Sequence, residues 1–271
     1  MTRPERADRM DTVHNQTDIQ SVAVFGARGG MGRLFVRLLE QAGLTVLSCD
    51  RPLTPDKVRE SAGRADLVYL SVPYPALEEV VRLVAPAMRP EAILVDNCSV
   101  KVQPMTIMQR LARGPVVGTH PLFGPRPGTG SELRTAVVQG SDKGSLEQVV
   151  RLMDVLGAGP FVTTAERHDR CVALIQGLNF VTTVSYLACA TQHEDMENFL
   201  TPSFERRLQA ARKMLLEDAE LFATLFEANP FSQDAVRQFR GYLNLAAAGD
   251  LELLVEKSSW WWRRSDPGDE A

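Results

Sequence analysis

The chain has 271 residues, 44% of them hydrophobic and 24% charged, with a formal net charge of -4. That is apolar material for a full core and too acidic a balance for the basic surface that nucleic-acid binding requires; at ~150 residues per domain the length predicts one large domain or two smaller ones. No apolar run approaches the ~18 residues of a membrane span.

The opening MTRPERADRMDTVHNQTDIQ carries charge but no apolar h-region, so residues 1–20 are expected to form a flexible tail and not a secretory signal. From Ser21 short apolar runs alternate with helical stretches. SVAVFG reads as a strand, GMGRLFVRLLEQAG as a helix, LTVLSCD as a strand, PDKVRESAG as a helix and ADLVYLSVP as a strand. PALEEVVRLVAPAM, AILVDNCSV, KVQPMTIMQRLARG, PVVGTHP, TAVVQG, SLEQVVRLMDVLGAG and PFVTT continue the rhythm. Runs rich in Val, Leu and Ile alternating with helices predict βαβ units and a mostly parallel sheet, buried on both faces. The expected class is a Rossmann-type α/β doubly wound domain over residues 21–164.

The rhythm changes near Thr164. Residues 166–192 form a long, mostly apolar helical pattern, and the rest reads as helices, giving an all-helical domain over 165–271. VALIQGLNFVTTVSYLACA is apolar nearly all round, which places it in a core or between subunits; a helical homodimer interface is expected. Trp260 to Trp262 cannot all face one core. Cys49, Cys98, Cys171 and Cys189 have no CxxC spacing and predict buried free thiols in a reducing cytoplasm, with no Cys/His cluster spaced to hold a metal.

After the first strand comes Gly26-Ala27-Arg28-Gly29-Gly30-Met31-Gly32. The GxGxxG template would need Gly at position 27; the GxxGxxG variant fits Gly26, Gly29 and Gly32. One Gly makes the tight turn, the next lets backbone N–H groups approach a pyrophosphate, and the last lets the helix pack on the strand. The helix N-terminus then faces the phosphates with its positive end. Asp50 closes the second strand, where its carboxylate would accept from the adenosine ribose hydroxyls, which favours NAD over NADP; the neighbouring Arg51 is a residue type that holds a 2′-phosphate.

In an open parallel sheet, ligands bind outside the carboxyl ends of the strands. Ser71 in LSVP, with Val72 and Pro73, Ser99 in DNCSVK, and His120 in GTHPLFGP sit at such ends. These loops are expected to gather over the nicotinamide end of the cofactor. A dehydrogenase needs a base to take a proton as hydride leaves carbon, and histidine titrates near neutral pH, so His120 is the candidate base.

GARGGMGRLF, SVP, ILVDNCSVK, GTHPLFGP and ERHD…IQGL resemble the prephenate (cyclohexadienyl) dehydrogenase family, from about residue 21 to 192. The resemblance implies a Rossmann domain followed by a helical dimerisation domain. It also implies oxidative decarboxylation of a cyclohexadiene carrying a ring carboxylate and a pyruvyl side chain, with NAD+ taking hydride from ring C4. It gives His120 the proton of the C4 substituent, lets Ser99 place that substituent and the nicotinamide, and puts Gln176 in the substrate pocket. His168 matches a motif position and is read as structural.

The chain departs from the pattern after IQ-x-L. Prephenate-specific relatives commonly carry Arg-His there; this chain has Asn179 and Phe180. The family's substrate-gripping arginines lie after the Pro near residue 202, and here Arg206, Arg212 and Lys213 stand in shifted register. A dianionic substrate needs at least one cation, and arginine suits carboxylates; Lys101 and Arg126 are also near the expected pocket. Losing a potentially cationic histidine and gaining Asn179 would ease binding of an amine at C4. The substrate expected is therefore 4-amino-4-deoxyprephenate, ahead of prephenate and then arogenate. Two rivals stand beside this reading. A β-hydroxyacid or imine reductase would place a Lys or Asp at the start of the second domain, where ERHDRCVALIQGLN offers no Lys. A non-catalytic nucleotide-sensing dimer would not need His120 and Ser99 together.

Overall fold

The computed structural model describes residues 18–128, 130, 132–140, 142–190 and 195–263. The chain divides after Ala165 into two compact units.

The first unit is one seven-stranded sheet. Its strands are β1 (Ser21–Phe25), β2 (Thr45–Cys49), β3 (Leu67–Leu70), β4 (Ile93–Asp96), β5 (Val116–Pro121), β6 (Thr135–Gln139) and β7 (Pro160–Thr163). They lie in the order β2-β1-β3-β4-β5-β6-β7. Every neighbouring pair is parallel except β5 with β6. Five helices connect them: α1 (Gly30–Gln41), α2 (Pro55–Ala62), α3 (Tyr74–Val84), α4 (Val102–Leu111) and α5 (Lys143–Val155).

The central strands are apolar throughout because helices cover both faces of the sheet. Side chains alternate between two cores. Ala23, Phe25, Val68, Leu70 and Leu94 pack with Leu77 and Val81 of α3 and Met105 and Met108 of α4. Val22, Val24, Tyr69, Val95 and Val117 pack with Phe35 and Leu39 of α1 and Leu152 of α5. The strand order turns back between β1 and β3, so their carboxyl ends diverge and open a crevice there.

The core begins before β1. Ile19 is 1% exposed, although the sequence placed it in a flexible tail; a single apolar residue among polar ones has no period to read. Residues 1–17 lie outside the described residues. Next to Ile19, Asp66 accepts hydrogen bonds from the Gln20 and Ser21 N–H groups, the Ser21 hydroxyl and Arg89. The knot fastens the start of β1 to the start of β3.

The second unit is all-helical among the described residues. It comprises α6 (Ala165–Val172), α7 (Asn179–Ala190), α8 (Pro202–Leu216), α9 (Ala219–Ala228), α10 (Ser232–Ala247), α11 (Leu251–Ser258) and α12 (Trp260–Arg263). Between α6 and α7 the helix widens into π-type turns over Ala173–Leu178. His168 sits inside this unit, its Nδ1 2.7 Å from Asp169 Oδ1. Asn229 Nδ2 donates to the Asp169 carbonyl at 2.8 Å.

Two expectations are corrected here: that no apolar run approaches the length of a membrane span, and that all four cysteines are buried. The apolar stretch, which the sequence left in a core or between subunits, is not central in a core within one chain: α7 has no buried residue, and Ile175 is 64% exposed. Taken together, Ala165–Ala190 is a 26-residue helix containing an 18-residue window of mean hydropathy 1.5, long and apolar enough to cross a membrane by length and composition alone. Scattered polar residues such as Gln176, Asn179 and Thr182 hid that length in the sequence. Cys171 and Cys189, on α6 and α7, are exposed, while Cys49 and Cys98 are buried; all four are free. Trp260 to Trp262 are all substantially exposed, and Trp260 stacks on Trp261.

Burial pushes the Asp66 carboxyl up, but the hydrogen bonds from Ser21, Gln20 and Arg89 outweigh it and hold the group below its ordinary value. A depressed carboxyl stabilises the fold above its unfolded pKa of ~3.9, and that contribution is lost as pH falls through the folded value. Chemical denaturation across pH should therefore show the native chain more stable than an Asp66→Asn variant near neutrality. The gap should close as the pH drops below about 4; a gap independent of pH would exclude Asp66 as the source.

Candidate functional site

The glycine loop is built by close approach. Gly26 has φ +83°, and a β-carbon on it would stand 2.2 Å from the Ser71 carbonyl oxygen. A β-carbon on Gly32 would stand 2.0 Å from the Gly26 carbonyl, so the start of α1 packs on the turn itself. The Gly29 N–H donates to the Gly26 carbonyl at 3.0 Å, and the first bond of α1 runs from the Arg33 N–H to the Gly29 carbonyl. Gly29 caps α1 without a side chain. The amides of the first turn, from Gly30 on, thus have no acceptor within the helix and suit an anion.

Asp50 follows β2, and its Oδ2 accepts from the Arg28 N–H at 2.8 Å. The carboxylate is held at the mouth of the loop. Gly26, Arg28, Gly29, Asp50, Arg51, Ser71, Val72 and Pro73 line one cleft of about 440 Å³. Ala27 lines an adjoining cleft of about 840 Å³ with Arg33, Arg37 and Lys57. Gly32 packs under the loop, and Met31 is half-buried beside it. Gly30 faces Pro125, whose ring lies 3.1 Å from where a β-carbon would be. The loop after His120 therefore reaches across the sheet edge to the glycine loop. Sequence reading missed Leu53, on the loop before α2, and Ala76 and Val80 of α3 in the cleft wall; single apolar residues carry no chemical signature.

Ser71 directly follows β3, Ser99 lies three residues after β4, and His120 is the penultimate residue of β5. His120 is 4% exposed and paired across the antiparallel ladder with Ala136. Ser99 is half-buried. Asn97 Nδ2 donates to Ser71 Oγ at 3.0 Å, joining two of the loops. Lys101, placed by sequence among cations near a substrate, is instead fully buried: its Nζ lies 2.5 Å from Asp96 Oδ2 and 2.6 Å from the Thr119 carbonyl. A Lys five residues after Asp96 folds back because the carboxylate is the buried partner a buried ammonium requires. Arg126 is exposed on the loop after β5. Among the described residues no group of three His, Cys, Asp or Glu could hold a metal.

Burial also silences two groups of the first unit. It raises the Cys98 thiol well above its ordinary value, with Asp96 adding to the effect. It drives the Tyr69 phenol far up as well. Both stay protonated at neutral pH, so neither is a nucleophile or base here. Cys98 should remain unmodified by iodoacetamide at pH 8.5 in the folded chain and react once unfolded, read by peptide mass spectrometry; rapid labelling in the native state would contradict this burial.

The remaining predicted residues lie in the second unit. Gln176 is half-buried in the π-type turns, and Asn179 is exposed at the start of α7. Phe180 is half-buried, its ring stacked on Phe222 with centroids 5.6 Å apart. Arg206 and Arg212 are exposed on α8, and Lys213 pairs with Asp218 at 2.6 Å. Arg207 lies over the Tyr186 ring at 3.8 Å.

Residues 49–159 match the family model of the prephenate dehydrogenase nucleotide-binding domain. The chain is 27% identical over 246 residues to the T-protein of Enterobacter agglomerans, covering 88% of this chain and 65% of that one. It is 31% identical over 180 residues to the 4-amino-4-deoxyprephenate dehydrogenase of Streptomyces pristinaespiralis, covering 60% of each. It spans between about half and two thirds of the length of the first curated relatives it matches. The fold is shared with prephenate dehydrogenase from A. aeolicus, solved in complex with hydroxyphenyl propionate and NAD+: TM-score 0.71 at 18% identity, over 91% of this chain and 97% of that one. The glycine turn, the strand-end loops and these matches agree: residues 49–159 resemble the nucleotide-binding domain of the prephenate dehydrogenase family.

Proposed function

We propose that the chain is an NAD-dependent dehydrogenase that oxidatively decarboxylates a prephenate-type cyclohexadiene. Its favoured substrate is 4-amino-4-deoxyprephenate, which gives 4-aminophenylpyruvate, CO2 and NADH. The observation that carries the reading is the histidine loop: His120 is the penultimate residue of a buried strand, and the loop that follows lies against Gly30 at the start of α1. A candidate base thereby shares one sheet edge with a dinucleotide cradle.

The residues fit the cofactor. Gly26 and Gly32 let the turn close tightly under the start of α1, α1 has no side-chain cap, and Asp50 waits at the end of β2 for the ribose hydroxyls. NAD+ supplies the hydride acceptor for ring C4. His120 accepts the proton of the C4 substituent as that carbon is oxidised and returns it to the product. Ser99 orients the substituent. The C1 carboxylate leaves as CO2, its bonding electrons enter the ring, and the ring becomes aromatic. The helix Ala165–Ala190, apolar and largely exposed, supports assembly as a homodimer through the helical unit. The proposed setting is the cytoplasm.

The substrate choice rests on Asn179 and Phe180. Phe180, whose ring packs on Phe222, takes the sequence position at which prephenate-specific relatives commonly carry a histidine, a group that would repel an amine if cationic, and Asn179 before it would offer a neutral partner. The similarity to the S. pristinaespiralis enzyme points the same way. The longer matches to two T-proteins favour the second reading, a prephenate dehydrogenase giving 4-hydroxyphenylpyruvate. The third reading is a non-catalytic dinucleotide-sensing dimer.

The test is NADH formation with 4-amino-4-deoxyprephenate, prephenate and arogenate supplied separately. Preference for the amino compound supports the first reading, preference for prephenate the second, and NAD+ binding without turnover the third. His120→Asn should lower kcat by about 10²–10⁴ while NAD+ affinity holds; an unchanged kcat removes His120 from the chemistry. Phe180→His should raise the ratio of prephenate to amino-substrate activity, and a constant ratio would count against the specificity argument.

A further inference from the structure

The main-chain ladder between β4 and β5 stops just short of the site. Its paired residues are Leu94 with Val116, Val95 with Val117, and Asp96 with Gly118. Side chains continue the connection. Thr119 Oγ1 donates to the Asp96 carbonyl at 2.6 Å. Lys101 Nζ donates to the Thr119 carbonyl at 2.6 Å and to Asp96 Oδ2 at 2.5 Å. The Cys98 N–H donates to that same carboxylate oxygen at 2.9 Å. The loop carrying Ser99 is thus closed on itself by the residues at its two ends, and the closed loop is fastened to the residue before His120. On its other side Asn97 donates through its N–H to the Leu70 carbonyl and through Nδ2 to Ser71.

Stability alone does not account for this arrangement. Both side chains of the pair are 0% exposed. A buried ion pair recovers its desolvation cost only with excellent geometry and every atom satisfied, and packed apolar residues often do as well or better. Asp96 Oδ1 is buried without a hydrogen-bond partner among the described residues, short of that standard. The sequence also makes room for the lysine: a β-carbon on Gly118 would stand 3.2 Å from Lys101 Cδ and 2.7 Å from Met105 Sδ.

We infer that Lys101 and Asp96 are positioning residues: their buried pair fixes the placement of Ser99 relative to His120, and neither touches the reactants. The inference rests on the proposed function for what Ser99 and His120 do.

The test compares the full chain with Lys101→Met, with the double variant Asp96→Asn/Lys101→Met, and with Gly118→Ala. Lys101→Met alone strands a buried carboxylate, so Tm and kcat fall together. In the double variant neutral side chains replace the pair; Tm recovers while kcat stays roughly tenfold or more below the native value at unchanged NAD+ Kd. Recovery of kcat along with Tm overturns the inference. Gly118→Ala keeps both charges and displaces the lysine stem and Met105; overpacking lowers Tm, so kcat is read well below that Tm, where it should still fall, and an unaltered kcat there would again overturn the inference. A readout independent of turnover separates this from failure of the functional reading. The imidazole ¹⁵N signals of His120, one of four histidines, should be sharp in the native chain and broadened or split in the double variant. Unchanged signals refute the tether even where no substrate is turned over; absent native turnover alone refutes only the enzyme assignment.

Discussion

The Ser71 carbonyl occupies the space in which Gly26 would carry a side chain. That single close approach sets much of the first unit. It brings the turn after β1 and the turn after β3 into contact at the point where the strand order reverses, so one crevice is shared by two loops from diverging strands. Any residue other than glycine would separate them, and the helix that follows would lose its seat on the Gly26 carbonyl. The cleft is a consequence of backbone packing, and its chemistry is added by what borders it: Asp50 on one flank and the strand-end loops on the other.

Those loops are not held alike. The turn after β3 is fixed by backbone contact, the Ser99 loop by a buried charge pair, and the His120 loop by pairing with β6 and by Pro125 against Gly30. Rigid elements thus carry the groups expected to meet a ligand, while the exposed Arg126 lies on irregular chain. This division suits a site in which the reacting geometry is preorganised and the grip on substrate charge is adjustable.

Much of the first unit was legible in the sequence because its signals are local. Val-rich runs bounded by glycine turns gave the strands, and the spacing of Gly26, Gly29 and Gly32 gave the loop. The resemblance in DNCSVK and GTHPLFGP drew attention to Ser99 and His120. What escaped depends on contacts distant in sequence. Lys101 looked like a cation near a pocket, because nothing in its neighbourhood says that Asp96 and Thr119 enclose it. Ile19 looked like tail, because its burial comes from a core assembled by α1, β3 and α5. The π-type turns around Gln176 leave no periodic trace, since they add one residue to a helix that otherwise keeps its phase. Asn179 and Phe180 were visible only as departures from a family pattern, and their meaning is a matter of chemistry that the fold does not decide.

The knot at Asp66 has a consequence for how this unit is joined to anything else. Five residues of β1 at ~3.3 Å each separate the knot from the glycine turn, about 17 Å in all. The chain at Gln20 and Ser21 is therefore clamped at the amino end of the strands, the end opposite the cleft, where the first strand begins. A module attached on that side would be insulated from the ligand site by the length of the sheet. Tension on such an attachment would load the hydrogen bonds of Asp66 with Gln20, Ser21 and Arg89 before it reached the strand that ends in the glycine turn.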